Sequence, residues 1–365
     1  MSGRKINTPR ANSLSLVYWA LYITAIAVLT LSIMTKICHA NEIDTDLLAS
    51  AEEGDVPGLK ELLKSGANIE CHDKNGLTPL LVAAEQGHYM AIDFLLNKRA
   101  NINAVSGKGT ALMLAAMKGR NRTLQLLLNK GGKIEARDEE GYTALILAAA
   151  CGQNSSIKLL LDKGADIEAK TFNGFTPLML AVWGGHAQVI KTLLERGADF
   201  HSKNDAGLTP VMIAAEAGYL EAILLLLSSG ADINTQANNG HTALMLASWE
   251  GHTWLVKALL AHGAKIEAKA KNGETALLLA ALNGQTDTVN VLLNAGAKIN
   301  AIGNEGETAL LLATTSNQVN TVKTLLGKGA TIKARTNKGE TAWAYAESQE
   351  YVDLLLLLEK AGARW

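Results

Sequence analysis

The chain has 365 residues, 48% of them hydrophobic, with 5 prolines and a formal net charge of −1, so it is long and apolar enough to bury a large core. Residues 1–40 hold Arg4, Lys5, Arg10 and Lys36 and no acid, which leaves 30 of the 34 basic side chains against all 35 acidic ones in the rest of the chain. A mildly acidic body argues against general nucleic-acid binding, and 3 cysteines at unrelated places in the chain exclude a disulfide framework.

The basic N-terminus runs into an almost wholly apolar stretch from Leu14 to Met34, then into Thr35-Lys36-Ile37-Cys38-His39-Ala40. This is the layout of a secretory signal peptide over residues 1–40, cut after Ala40, which would place the body outside the cytoplasm, periplasmic or secreted. The apolar stretch is long for such a peptide. About 20 apolar residues can span a bilayer, and Tyr18, Trp19 and Tyr22 suit its interface, so the alternative is a single-pass membrane protein with a cytoplasmic N-terminus and membrane contact through residues 14–34. Either way the positive charges before the segment and Glu42, Asp44 and Asp46 after it send the remainder across.

Residues 41–72 read as a terminal cap. No threonine-proline start is present, and Glu52, Glu53, Asp55, Lys60, Glu61 and Lys64 make a polar outer side. From Thr78 onward a pattern of threonine, proline or alanine, leucine, two apolar residues and alanine returns at Thr110, Thr143, Thr176, Thr209, Thr242, Thr275, Thr308 and Thr341. After one interval of 32 residues every interval is 33, and a fixed period of that size marks a stacked repeat array. Threonine suits a helix N-cap, and the glycines at Gly87, Gly119, Gly152, Gly185, Gly218, Gly251 and Gly284 suit a left-handed helix stop. A second apolar pattern ending in a leucine pair, such as Leu193-Leu194, then leads through Gly-Ala to a turn. Each copy therefore predicts helix, turn, helix and a hairpin-like loop.

The residues Gly174-Phe175-Thr176-Pro177-Leu178-Met179-Leu180-Ala181, Gly185-His186, Leu193-Leu194 and Gly197-Ala198 resemble the ankyrin repeat. The resemblance runs from about Asp44 to the C-terminus and implies an all-α ankyrin-repeat solenoid of about ten repeats including caps. Eight repeats would occupy residues 73–334, with a C-terminal cap over 335–365. The chain departs from the family in one regular way: the histidine of the motif is replaced by Leu81, Met113, Ile146, Met179, Met212, Met245, Leu278, Leu311 and Ala344. Apolar packing is expected where the family has a polar contact.

The resemblance also implies a concave face lined by loop tips and first helices, with partner contacts at the residues one and four before each threonine and seven and eight after it. Those positions hold Tyr142, Phe172, Phe175, Trp183, Leu208, His241 and Trp249, the expected partner-binding residues. Large aromatics at solvent-facing positions are what protein interfaces use as anchors, although they could instead pad one another between repeats. A second candidate is a basic stretch free of acids from Phe94 to Ile134. Its Lys98, Arg99, Lys108, Lys118, Arg120 and Arg122 suit an anionic partner or lipid headgroups, or simply form a solvated face. Near the C-terminus, the run Leu354 to Leu358 is covered by Trp365 or contacts another chain.

Catalysis finds no constellation. His88, His186 and His252 stand at the Gly-His turn of the repeat, their spacing is no metal-ligand pattern, and no cofactor motif is present. The expected function is a non-catalytic protein-binding scaffold, exported or membrane-anchored. Alternatives are a membrane-surface scaffold using the basic repeat, or an accessory or inhibitory subunit of an extracytoplasmic enzyme. The opposite charge of the two ends also permits weak head-to-tail self-association.

Overall fold

The computed structural model describes residues 42–363, so the segment 14–34, the cut near Ala40, Cys38 and Trp365 lie outside the described residues. Ten helix pairs follow one another there. They begin with α1 (42–53) and α2 (Val56–Lys64), then α3 (Pro79–Gln86) and α4 (Tyr89–Asn97). Next come α5 (Ala111–Met117) with α6 (Asn121–Asn129), α7 (Ala144–Ala150) with α8 (Asn154–Asp162), and α9 (Pro177–Trp183) with α10 (Ala187–Glu195). The array continues with α11 (Pro210–Ala217) and α12 (Leu220–Ser228), α13 (Ala243–Glu250) and α14 (Thr253–Ala261), and α15 (Ala276–Leu282) and α16 (Thr286–Asn294). It closes with α17 (Ala309–Thr315), α18 (Val319–Gly327), α19 (Ala342–Ser348) and α20 (Val352–Lys360).

The chain divides into two compact units, residues 1–107 and 108–365. In the described part of the first, α2 packs on α4 and α3 on α4, around Leu47, Leu59, Leu80, Leu81, Ile92 and Leu95. In the second, each first helix lies against its neighbouring first helices, and second helices pack likewise from α6 through α12 and from α14 through α20, so the core is continuous between neighbours. This explains why the first helices show no polar face. In α15, Ala276 to Ala281 are all buried, and small alanines let flanking helices approach. The second helices keep an outer wet face: α10 buries Val189, Ile190, Thr192 and Leu193 only.

The threonines cap as their spacing predicts, with one exception. In eight copies the Thr Oγ1 accepts the backbone N–H three residues on, for example Met179 N to Thr176 Oγ1 at 3.3 Å. Thr209 makes no such bond, and its buried Oγ1 has no partner. The replaced motif histidines pack as expected: Leu81, Met113, Ile146, Met179, Met212, Met245, Leu278 and Leu311 are buried, while Ala344 in the last copy is exposed. Gly218 ends α11 at φ 80°, and where the last two copies lack that glycine, Asn317 and Glu350 adopt the same left-handed backbone at φ 54° and 57°.

The hairpin-like loops are turns rather than paired strands in nearly every copy. Among the described residues, two-residue strands occur at Val105–Ser106 and Gly109–Thr110, and an isolated bridge joins Arg335 to Thr341. Neighbouring tips are tied instead by backbone bonds, Phe172 N to Glu140 O, Asp205 N to Asn173 O, Asn238 N to Ala206 O and Lys271 N to Asn239 O, at 2.9–3.2 Å. Beside them runs a second ladder. Arg137 donates to Lys170 O, Lys170 to Lys203 O, Lys203 to Gln236 O, Gln236 to Lys269 O and Lys269 to Ile302 O, where an apolar side chain ends it.

Candidate functional site

The loop before each threonine is shaped by its own side chains, and this sets where the residue just ahead of the threonine points. Asp138 Oδ1 accepts Tyr142 N at 2.8 Å, Thr171 Oγ1 accepts Phe175 N at 3.1 Å, and Asn204 Oδ1 accepts Leu208 N at 2.9 Å. In the next loop Ala237 has no side-chain oxygen, and Asn239 Oδ1 accepts His241 N at 3.0 Å instead. The first helices end beside these tips, so the side chains seven residues past each threonine meet the loops.

Two grooves result, both in the second unit. One, of about 670 Å³, is lined by Glu140, Tyr142, Ala150, Thr171, Phe172, Asn173, Phe175, Leu180 and Trp183. Phe172 is 65% and Trp183 56% exposed, and the Phe175 and Trp183 rings meet edge-on. Burial, and then the carboxylates of Glu140 and Asp138, push the Tyr142 phenol up from its ordinary value, so it stays a neutral hydroxyl at physiological pH.

The other groove, of about 570 Å³, is lined by Glu216, Asn239, His241, Leu246, Trp249, Glu250, Lys271, Asn272, Glu274, Leu279 and Leu282. Trp249 is 37% exposed at the end of α13, and its carbonyl accepts bonds from Asn283 and Gln285 of the next copy at 3.0 and 3.2 Å. His241 Nε2 lies 3.5 Å from Glu274 Oε2. The carboxyl of Glu216 is raised from its ordinary value, by burial first and then by the charge of Glu250.

The structure thus separates the expected aromatic positions into two sets. Tyr142, Phe172, Phe175 and Trp183 come together in the first groove and His241 and Trp249 in the second, while half-buried Leu208 lines neither of these two grooves. Sequence reasoning missed Leu180, Leu246 and Leu279, and with them Asn173, Asn239 and Asn272. The leucines stand four residues after their threonines, and a helical period brings that position onto the same face as the residue seven after it. That signal was available.

The basic candidates fall in the two units. Lys98 and Arg99 follow α4 in the first, with the Lys98 ammonium 5.9 Å from the Phe94 ring centroid. Arg99 has φ 69°, a left-handed backbone that glycine occupies at the matching place in the other copies, as at Gly164 and Gly197. Lys108, Lys118, Arg120 and Arg122 belong to the second unit, each with its side chain exposed. The histidines of the Gly-His turns are structural: His88 bonds to Glu52 O at 2.7 Å, His186 to Ala150 O at 2.9 Å and His252 to Glu216 O at 3.0 Å. Cys71 and Cys151 are free thiols. Among the described residues no cluster of His, Cys, Asp and Glu could hold a metal ion, and no helix is long and apolar enough to cross a membrane. Leu354 and Leu358 are buried under neighbouring helices, whereas Leu356 remains 50% exposed.

Comparison with known families gives one result: the sequence pattern of ankyrin repeats (3 copies) matches residues 47–138, 112–204, 197–270 and 266–336. No curated protein matches the chain.

Proposed function

The chain belongs to the ankyrin-repeat family, and we propose that it grips a protein partner through the face built from its loop tips and first-helix ends. Arrays of this family are scaffolds for protein–protein interaction and are in general not catalytic. The observation that supports the surface is the groove of Tyr142, Phe172, Phe175 and Trp183. These rings stand outside the continuous core, which is filled by Leu, Ile, Met and Ala, and large exposed aromatics in a concave site supply binding energy at little conformational cost. Replacing Trp183 and Trp249 together with alanine is expected to lower the melting temperature by a few degrees only, with the array still folded. Capture of partner proteins from the native compartment, read by mass spectrometry against the wild type, is expected to be lost. Captured proteins unchanged in identity and yield would reject this surface.

The scaffold acts, on this reading, outside the cytoplasm, exported or anchored by residues 1–40. Support comes from the basic start, the apolar run from Leu14 to Met34 and the small residues before Ala40. The mass of the mature chain and its partition with membranes test this: a soluble chain retaining residues 1–40 inside the cell would reject it.

A further inference from the structure

The two grooves share a backbone plan and differ in charge, and that difference identifies a chemistry for the second. In the first, Glu140 is the one charged residue of the lining. In the second, Glu216, Glu250 and Glu274 share the lining with a single ammonium, Lys271, with the half-exposed Trp249 and with Leu246, Leu279 and Leu282. Glu216 lies in the last turn of α11, Trp249 and Glu250 end α13, and Leu282 ends α15. Helix C-termini carry partial negative charge, so three of them add to the carboxylates. Two of these ends are also held: Glu216 O accepts from His252, and Trp249 O from Asn283 and Gln285.

We propose that this groove receives an arginine side chain from an extended segment of the protein partner. The claim rests on the protein-binding reading above and names the chemistry recognised at one part of that surface. A guanidinium can lie flat on the indole face while its N–H groups reach the carboxylates at the rim, and its weak hydration makes this transfer cheaper than for lysine. Burial, and then the charge of Glu250, disfavour the ionised carboxylate of Glu216, and a bound cation offsets that penalty. Glu274 is turned toward His241, which leaves the pair Glu216 and Glu250 as the anionic contact.

The test is selection of random twelve-residue peptides on the full chain, with the winners synthesised and their affinities measured. Peptides enriched in arginine are expected. Their affinity should fall by about tenfold or more in W249A, in the near-isosteric E216Q/E250Q variant, and when arginine is replaced by citrulline, and it should weaken with added salt. Winners that lack arginine, or that bind W249A and E216Q/E250Q as well as the wild type, overturn the proposal. If such winners instead lose affinity in F172A or W183A, the protein-binding face stands and only the arginine assignment falls; if no peptide binds either groove, both fall. Lysine peptides that bind as well as arginine peptides overturn the stacked guanidinium. The folding of E216Q/E250Q, checked by thermal melting, separates lost contact from lost structure.

Discussion

The ring of Phe175 meets the ring of Trp183 edge-on, with centroids 6.4 Å apart and planes at 82°. One residue comes from a loop tip and the other from the end of α9, so this contact fixes the wall of the first groove. Such a pair contributes about 1 kcal/mol, whereas a tryptophan buried in a core costs about 3–5 kcal/mol on truncation. Trp183→Ala should therefore cost about 1 kcal/mol in urea unfolding. A cost in the core range would show that the ring is structural.

Thr176 and Thr209 look alike in the sequence and differ in the fold. Thr176 Oγ1 accepts Met179 N at 3.3 Å, while Thr209 Oγ1 is buried without a partner. Thr176→Ala should cost about 1 kcal/mol, and Thr209→Ala much less, since it removes no bond and relieves an unsatisfied hydroxyl. Equal losses in chemical denaturation would contradict the difference.

Arg99 occupies a left-handed position at φ 69° that suits glycine. Arg99→Gly should stabilise the chain by about 0.5–1 kcal/mol, and Glu350→Gly, at φ 57°, should act in the same direction. Loss of stability in R99G would contradict the strain.

Glu216 has a carboxyl raised from its ordinary value, by burial first and by Glu250 second. A raised carboxyl binds its proton more tightly folded than unfolded, so its ionisation works against the fold. The cost is present at neutral pH and disappears as the pH falls and the group protonates in both states. Glu216→Gln is thus expected to raise the melting temperature at pH 7 and to have little effect near pH 3. A destabilised variant at pH 7 would contradict this.

The two described thiols should separate by reactivity. Burial, followed by the charge of Asp44, pushes Cys71 up to about 11, and its Sγ lies 3.6 Å from Asp44 O. Cys151 is exposed, and although burial also raises it, Lys118 pulls the other way. A thiol reagent at pH 8 should label Cys151 first and Cys71 only on opening of the first unit. Matching rates in the native protein would be the contrary result.

The period, the threonine caps and the glycine stops made the helix pairs legible, because each rests on a local backbone requirement that one residue type satisfies. The packing in place of the motif histidine was legible too, since Met179 and its equivalents are apolar at a fixed place in the period. The missing cap at Thr209 was not, because the same threonine stands in every copy and the difference lies in side-chain geometry. Nor was the ladder through Lys170, Lys203 and Lys269, whose ammonium groups read as solvated charges until neighbouring carbonyls come within reach. The candidate surface was half legible. The variable positions located the aromatics, but the separation into an aromatic and an acidic groove depends on Glu216 and Glu250 at two helix ends meeting Glu274 from a loop.

On the proposed reading, partners bind the loop tips and first-helix ends. Hydrogen exchange of the chain, alone and with the partner it captures, tests this most directly. Protection gained at residues 140–142, 171–175 and 239–241, with the outer face of α8, α10 and α14 unchanged, is the predicted result. Protection confined to those second helices, with the tips exchanging as freely as before, would contradict it.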